Sequence, residues 1–226
     1  MAAQVLLAWS GGKDAAWALH VLRQRGQVEV VGLLTTVTTE YQRASMQGIR
    51  VEVLRAQAAA AGLPLLEAGI PAHCDNGTYD AAMARALAEA ASRWPGLRTA
   101  AAGGLFLAGI RAYRAPRLAA AGWELLTPLF DADTAALARQ MQAGGLRAHL
   151  CCVDTRQLDA RMAGRAFDES LLRELPAGID PCGENGEFHT CVSAGPMFAS
   201  PLRLRQGETV LRDDRFAYTD FSLAPL

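Results

Sequence analysis

Lysine is almost absent from this chain. Of its 22 basic residues one is a lysine, Lys13, and every other is an arginine. Charge in excess is missing too: 22 basic against 23 acidic residues give a formal net charge of -1. No cationic surplus exists to hold a long polyphosphate, so DNA is not an expected partner. No uninterrupted apolar run reaches about 18 residues, so no membrane span is expected either. The opening MAAQVLLAWSGGKD lacks a basic start and its apolar run stops early, which reads as a buried strand rather than a signal peptide. Cysteines number five. So small and odd a set does not suggest a disulfide framework and points to a reducing cytoplasm.

What is present is apolar. The chain is 51% hydrophobic and 20% charged, enough for a packed core and unlike a disordered chain. Its 226 residues suit one large domain or a domain with an appendage. The lone lysine stands between Gly12 and Asp14. A compact ammonium differs from a planar guanidinium in size and reach, so a crowded phosphate site would accept one and exclude the other.

Strand and helix signals alternate through the first two-thirds. Strands are expected at Val5–Trp9, Val28–Thr36, Leu65–Ala68, Thr99–Gly103, Glu124–Thr127 and His149–Val153. Helices are expected at Lys13–Arg25, Ile49–Ala61, Tyr79–Arg93, Ala112–Ala121 and Asp133–Ala143. Strands separated by such helices imply βαβ units, a Rossmann-like parallel sheet and helices on both faces. After Asp154 the texture changes. Phe167–Leu175 reads as a short helix, and 178–196 is rich in glycine and proline without helical period. Leu202–Arg205, Thr209–Leu211 and Phe216–Phe221 read as antiparallel strands, the first two joined around Gln206-Gly207. A boundary near residue 130 is expected, with residues 131–226 forming a smaller α/β domain.

Ser10-Gly11-Gly12-Lys13-Asp14 lies between the first strand and the first helix. Glycines let backbone turn tightly against an anion, and the amides and dipole of a helix start favour negative charge there. A Walker A loop would need glycine at Leu7 and a hydroxyl at Asp14; a dinucleotide fingerprint would need glycine at Ala15. Neither is met. The loop resembles the S-G-G-x-D turn of the adenine nucleotide alpha-hydrolase-like ATP pyrophosphatases, which cleave ATP to AMP and pyrophosphate. In such a loop Ser10 supplies a hydroxyl, Gly11 and Gly12 supply amides, and Lys13 supplies an ammonium to the pyrophosphate. Asp14 orients the loop or holds Mg²⁺. Ala15 stands where that family usually has serine.

A second block, Asp180-Pro181-Cys182-Gly183-Glu184-Asn185-Gly186-Glu187-Phe188-His189-Thr190, is too polar for a core loop. Its carboxylates suit a cation, an amine or a metal, and Asn185-Gly186 is equally a turn signal. Cys182, His189 and Cys191 lack a CxxC pair, so structural zinc is not expected. Asp154, at a strand end, is a further magnesium candidate.

With SGGKD, LLTT, MQGIR, IRAYR, TPLF and G-E-x-G-E-F in this order, the chain resembles the diphthine–ammonia ligase family of N-type ATP pyrophosphatases over nearly its whole length. The resemblance implies a nucleotide-binding domain followed by a smaller substrate-binding one. It implies a reaction in which ATP and Mg²⁺ adenylate an acceptor carboxylate and ammonia displaces AMP; in the named enzymes the acceptor is the diphthine side chain of translation elongation factor 2. It places Ser10, Gly11, Gly12, Lys13 and Asp14 on the polyphosphate and Thr35 and Thr36 beside the adenosine. Gln47 and Arg50 fall near the nucleotide or acceptor, and Arg111 and Arg114, three apart on one helix, near phosphate. Gly183, Glu184, Gly186, Glu187 and His189 form the acceptor side, with the two glutamates binding ammonium or aiding its deprotonation. Catalytic roles fall to Lys13, Asp14, Glu184 and Glu187. The stretch 103–109 lacks acidic residues expected in related sequences. Expected partners are an acceptor protein or small carboxylate plus ammonia, with a homodimer left open. An RNA-modifying ATP pyrophosphatase and a non-catalytic ATP sensor are the alternatives.

Overall fold

The computed structural model describes residues 2–104 and 115–225. Five parallel strands, β1 (Ala3–Ala8), β2 (Val28–Thr38), β4 (Leu65–Ile70), β5 (Thr99–Ala101) and β6 (Glu124–Leu126), lie in the order β4-β2-β1-β5-β6. A two-residue strand, β3 (Arg43–Ala44), pairs antiparallel with the end of β2. The chain builds outward from β1 in one direction and then in the other, which puts a topological switch beside the carboxyl end of β1.

Side-chain alternation explains why both faces are covered. Val5 and Leu7 join Ala16, Leu19 and Leu22 of helix α1 (Lys13–Arg25) and Val53 and Leu54 of α2 (Val51–Ala60) in one buried cluster. Leu6 points the other way, to Leu34, Leu66 and Ala86, Leu87 and Ala90 of α3 (Asn76–Arg93). A strand segment buried on both faces must be apolar at every position, and Val5–Leu7 of β1 is. The helical segment at 115–120, α4, contributes Leu118 to that second cluster.

The remaining elements are α5 (Thr134–Ala143), β7 (Arg147–Asp154), α6 (Glu169–Glu174), β8 (Phe188–Ala194), β9 (Leu204–Arg212) and β10 (Phe216–Leu223), with a 3₁₀ turn at Ala160–Met162. The four strands form a second sheet, β8-β7-β10-β9, antiparallel throughout. Three expectations change here. The strand expected at His149–Val153 exists as β7 but belongs to this second sheet, because β8 and β10 flank it. The Gln206-Gly207 pair is not a turn but lies inside β9, where the register with β10 shifts. The reversal comes at Asp213 and Asp214, both with left-handed backbone (φ 51° and 47°), a conformation aspartate tolerates better than most residues. Strand β8 emerges from the glycine-rich block that carried no strand signal.

The first buried cluster does not stop at the parallel sheet. It runs through Leu150, Val153, Phe188 and Val192 of the second, and Trp17 of α1 packs on Gly144 at the end of α5. Among the described residues no helix is long and apolar enough to cross a membrane, and all five cysteines are free thiols.

Candidate functional site

The loop Ser10–Asp14 leaves β1 at its carboxyl end and turns into α1. Gly11 has φ +78°, and a Cβ there would lie 2.7 Å from Leu54 Cδ2 and 2.8 Å from Gln57 Oε1, so only glycine fits. A Cβ at Gly103, at the end of β5, would meet the Asp14 carbonyl at 2.5 Å. The second sheet forms the floor. Thr190 Oγ1 of β8 accepts the Lys13 amide at 3.0 Å, and the Gly11 carbonyl accepts the Val192 amide at 3.0 Å. Gly12 N–H donates to Ser10 Oγ at 3.2 Å. The first amides of a helix have no carbonyl one turn back; Thr190 takes that of Lys13, and the Gly103 backbone lies against the Asp14 carbonyl and the Ala15 amide.

Lys13 does not extend into solvent. It is 2% exposed, and Nζ donates to both carboxylate oxygens of Asp14 at 2.9 Å and to the carbonyl of Cys182. The rings of Phe167 and Phe188 stand 5.8 and 5.6 Å from Nζ. Burial alone would lower the lysine pKa, but the Asp14 carboxylate that it binds, with the Glu184 charge beyond, holds it above its ordinary value. The ammonium is therefore a fixed charge, and it ties the SGGKD loop to the second block.

That block is braced from within. Glu187 is 1% exposed. Its Oε1 accepts from the Asp180 amide at 2.9 Å and Asn185 Nδ2 at 3.1 Å, and its Oε2 accepts from the Asn185 amide at 2.8 Å. Asp180 Oδ1 accepts from the Cys182 amide at 2.7 Å. Glu184 is half-buried and its charge reaches Lys13. Burial pushes the Cys182 thiol up to about 12, which leaves it inert. His189, half-buried on β8, faces Cys152 across the sheet. Burial and then the nearby Lys13 charge lower its pKa, so its imidazole is neutral at pH 7.

Thr35 and Thr36 lie where β2 runs on beyond the end of β1, whose last paired residue, Ala8, matches Leu34. Gln47 touches the second sheet through its carbonyl, which accepts from Cys151 Sγ at 3.4 Å. Arg50 turns to β10, forking onto Asp220 at 2.9 and 2.6 Å, and Arg43 binds the same carboxylate at 2.8 Å. Arg111 and Arg114 lie outside the described residues, as does most of 103–109. Asp154 has no vacancy for a metal: Arg215 at 3.0 and 2.6 Å, Gln157 at 3.1 Å and the Arg156 amide at 3.1 Å fill its oxygens. No group of three or more His, Cys, Asp or Glu suited to a metal occurs among the described residues.

Two residues that sequence reasoning passed over shape the loop, Thr190 and Gln57. Gln57 was detectable: it falls on the stripe 53, 54, 57, 58 of an apolar helix face, where a polar side chain needs internal partners.

Comparison with protein families gives two matches, the diphthamide synthase N-terminal domain over residues 3–89 and the diphthamide synthase C-terminal domain over residues 133–219. No curated protein matches the chain. With both halves matched in order along most of its length, the chain belongs to the diphthamide synthase family.

Proposed function

We propose that the protein is an ATP-dependent, AMP-forming ligase that makes an amide from an acceptor carboxylate and ammonia. The observation that carries this reading is the Lys13 ammonium. It sits at the base of a glycine turn on the carboxyl edge of a parallel sheet, where phosphates seat in such folds, and it reaches the Asp180–Thr190 block at the Cys182 carbonyl.

In the first step an acceptor carboxylate oxygen attacks the α-phosphorus, the bond to the bridging oxygen breaks, and pyrophosphate leaves with the electron pair. The Gly11 and Gly12 amides, the Ser10 hydroxyl and the Lys13 charge absorb negative charge growing on that leaving group. In the second step the nitrogen lone pair of ammonia attacks the acyl carbon, AMP departs, and the nitrogen sheds a proton. Glu184 and the neutral imidazole of His189 are the groups assigned to ammonium binding and proton removal. Glu187 holds their loop in shape, since its own oxygens are engaged. Thr35 and Thr36 flank the adenosine, and the alignment of carboxylate and phosphorus supplies the rest of the advantage. Mg²⁺ binds with few protein ligands when phosphates supply the others. Asp14, the loop's own carboxylate with 27% of its side chain exposed, fits that demand, and the ion would neutralise phosphate charge. The family's name supports an amide product, so the acceptor is first sought in the diphthine carboxylate, then in small carboxylates.

Incubation with Mg²⁺-ATP, ammonium and each acceptor tests the reading. AMP and pyrophosphate released only with a carboxylate acceptor, and lost in Lys13→Ala, are expected. ADP as product, or release triggered by RNA, would overturn it.

A further inference from the structure

Gln57 is 0% exposed and every polar atom of its amide is used. Nε2 donates to the Gly11 carbonyl at 3.0 Å and the Val192 carbonyl at 2.7 Å, and Oε1 accepts from Trp9 Nε1 at 3.1 Å. A planar trans peptide points its C=O and N–H in opposite directions. Drawing the Gly11 carbonyl onto Gln57 and the Val192 amide therefore turns the Gly12 N–H the opposite way, to Ser10 Oγ of the loop. Without the Gln57 donors, the Val192 amide alone would hold that peptide plane.

We infer that Gln57 is the positioning residue of the phosphate loop, a buried amide that sets the Gly11–Gly12 peptide so that its N–H faces the pyrophosphate moiety of ATP. The inference rests on the reading of Ser10–Asp14 as the ATP phosphate seat. It separates Gln57 from a general core residue because the effect falls on one peptide group. Pyrophosphate meets that peptide; the sugar-linked phosphate of AMP does not depend on it.

The test compares binding of pyrophosphate, ATP and AMP, each with Mg²⁺, by calorimetry to the wild type, Gln57→Met and Gln57→Glu, with circular dichroism melts to establish folding. Both variants are expected to bind pyrophosphate and ATP about tenfold more weakly, the size of one charge-assisted hydrogen bond misdirected, with AMP affinity unchanged. A carboxylate donates nothing, but a neutral carboxyl carries one O–H and burial raises its pKa. The Gln57→Glu deficit, measured against the wild type at each pH, should thus shrink as pH falls. Should Gln57→Met fail to fold, the nearly isosteric Gln57→Glu carries the comparison. Folded variants that bind pyrophosphate as the wild type does, or that lose AMP and pyrophosphate equally, would overturn the inference and leave the site intact. Wild-type protein that binds neither ATP nor pyrophosphate would remove the phosphate seat itself, and the inference with it.

Discussion

Lys13 stands out in the sequence because arginine serves everywhere else, and the structure supplies the reason. Its Nζ is enclosed by Asp14, the Cys182 carbonyl and the rings of Phe167 and Phe188, a space too small for a guanidinium with its five donors. The position was legible; the partners were not, since Cys182 lies 169 residues away and no periodicity links them. Lys13→Arg keeps the charge and loses the fit. Both Lys13→Arg and Lys13→Met should lower stability by about 2 kcal/mol, from a misplaced or missing partner to a part-buried carboxylate. Urea unfolding measures this. An arginine variant as stable as the wild type would show that charge alone matters there.

At the scale of elements, the parallel sheet was readable because its strands are rich in apolar and β-branched residues and are separated by helices that show their period. The second sheet was less so. Strand β8 carries the strand formers Phe188, Thr190 and Val192 at alternate positions, but they directly follow a block of glycine, proline and acid that masked their period. Strand β9 was expected as two strands because Gln206-Gly207 looks like a turn. The reversal into β10 lies instead in the gap left between Leu211 and Phe216, where the Arg215 amide donates to the Arg212 carbonyl. The Arg215 side chain donates to Asp154 at the end of β7, joining the hairpin to its neighbour strand. Arg215, helped by the Arg156 and Gln157 donors and opposed by burial, drives the Asp154 carboxyl well below its ordinary value of 3.8. A carboxyl with its pKa depressed on folding stabilises the protein above the unfolded value, and that stability is lost as pH falls below it. Asp154→Asn should cost about 2 kcal/mol at neutral pH, the worth of charged hydrogen bonds to a buried acceptor. The gap to the wild type should close on acidification below pH 3.8. A gap that stays constant with pH would assign the loss to packing instead.

Across the whole molecule, contacts from α1, α2 and the β3 region cross the boundary expected near residue 130. Arg23 of α1 donates to the Met197 carbonyl at 3.1 Å, Gln57 of α2 donates to Val192 of β8, and Asp220 of β10 holds both Arg43 and Arg50. Such links are invisible to a reading that moves along the chain, because each joins residues far apart in sequence. The apolar cluster does the same: Leu7, Leu19 and Leu54 of the first half pack in one body with Leu150 and Phe188 of the second. Elements that share a core unfold together. Guanidinium unfolding followed by tryptophan emission, which reads Trp9 and Trp17 in the first half, should therefore coincide with unfolding followed by exchange of the β7 and β10 amides. The segment 1–130 alone should lack a cooperative transition, since α1 would expose the face that β8 and α5 cover. Two separated transitions, or a folded 1–130 segment that binds ATP, would instead make the halves independent and restrict the second sheet to the acceptor.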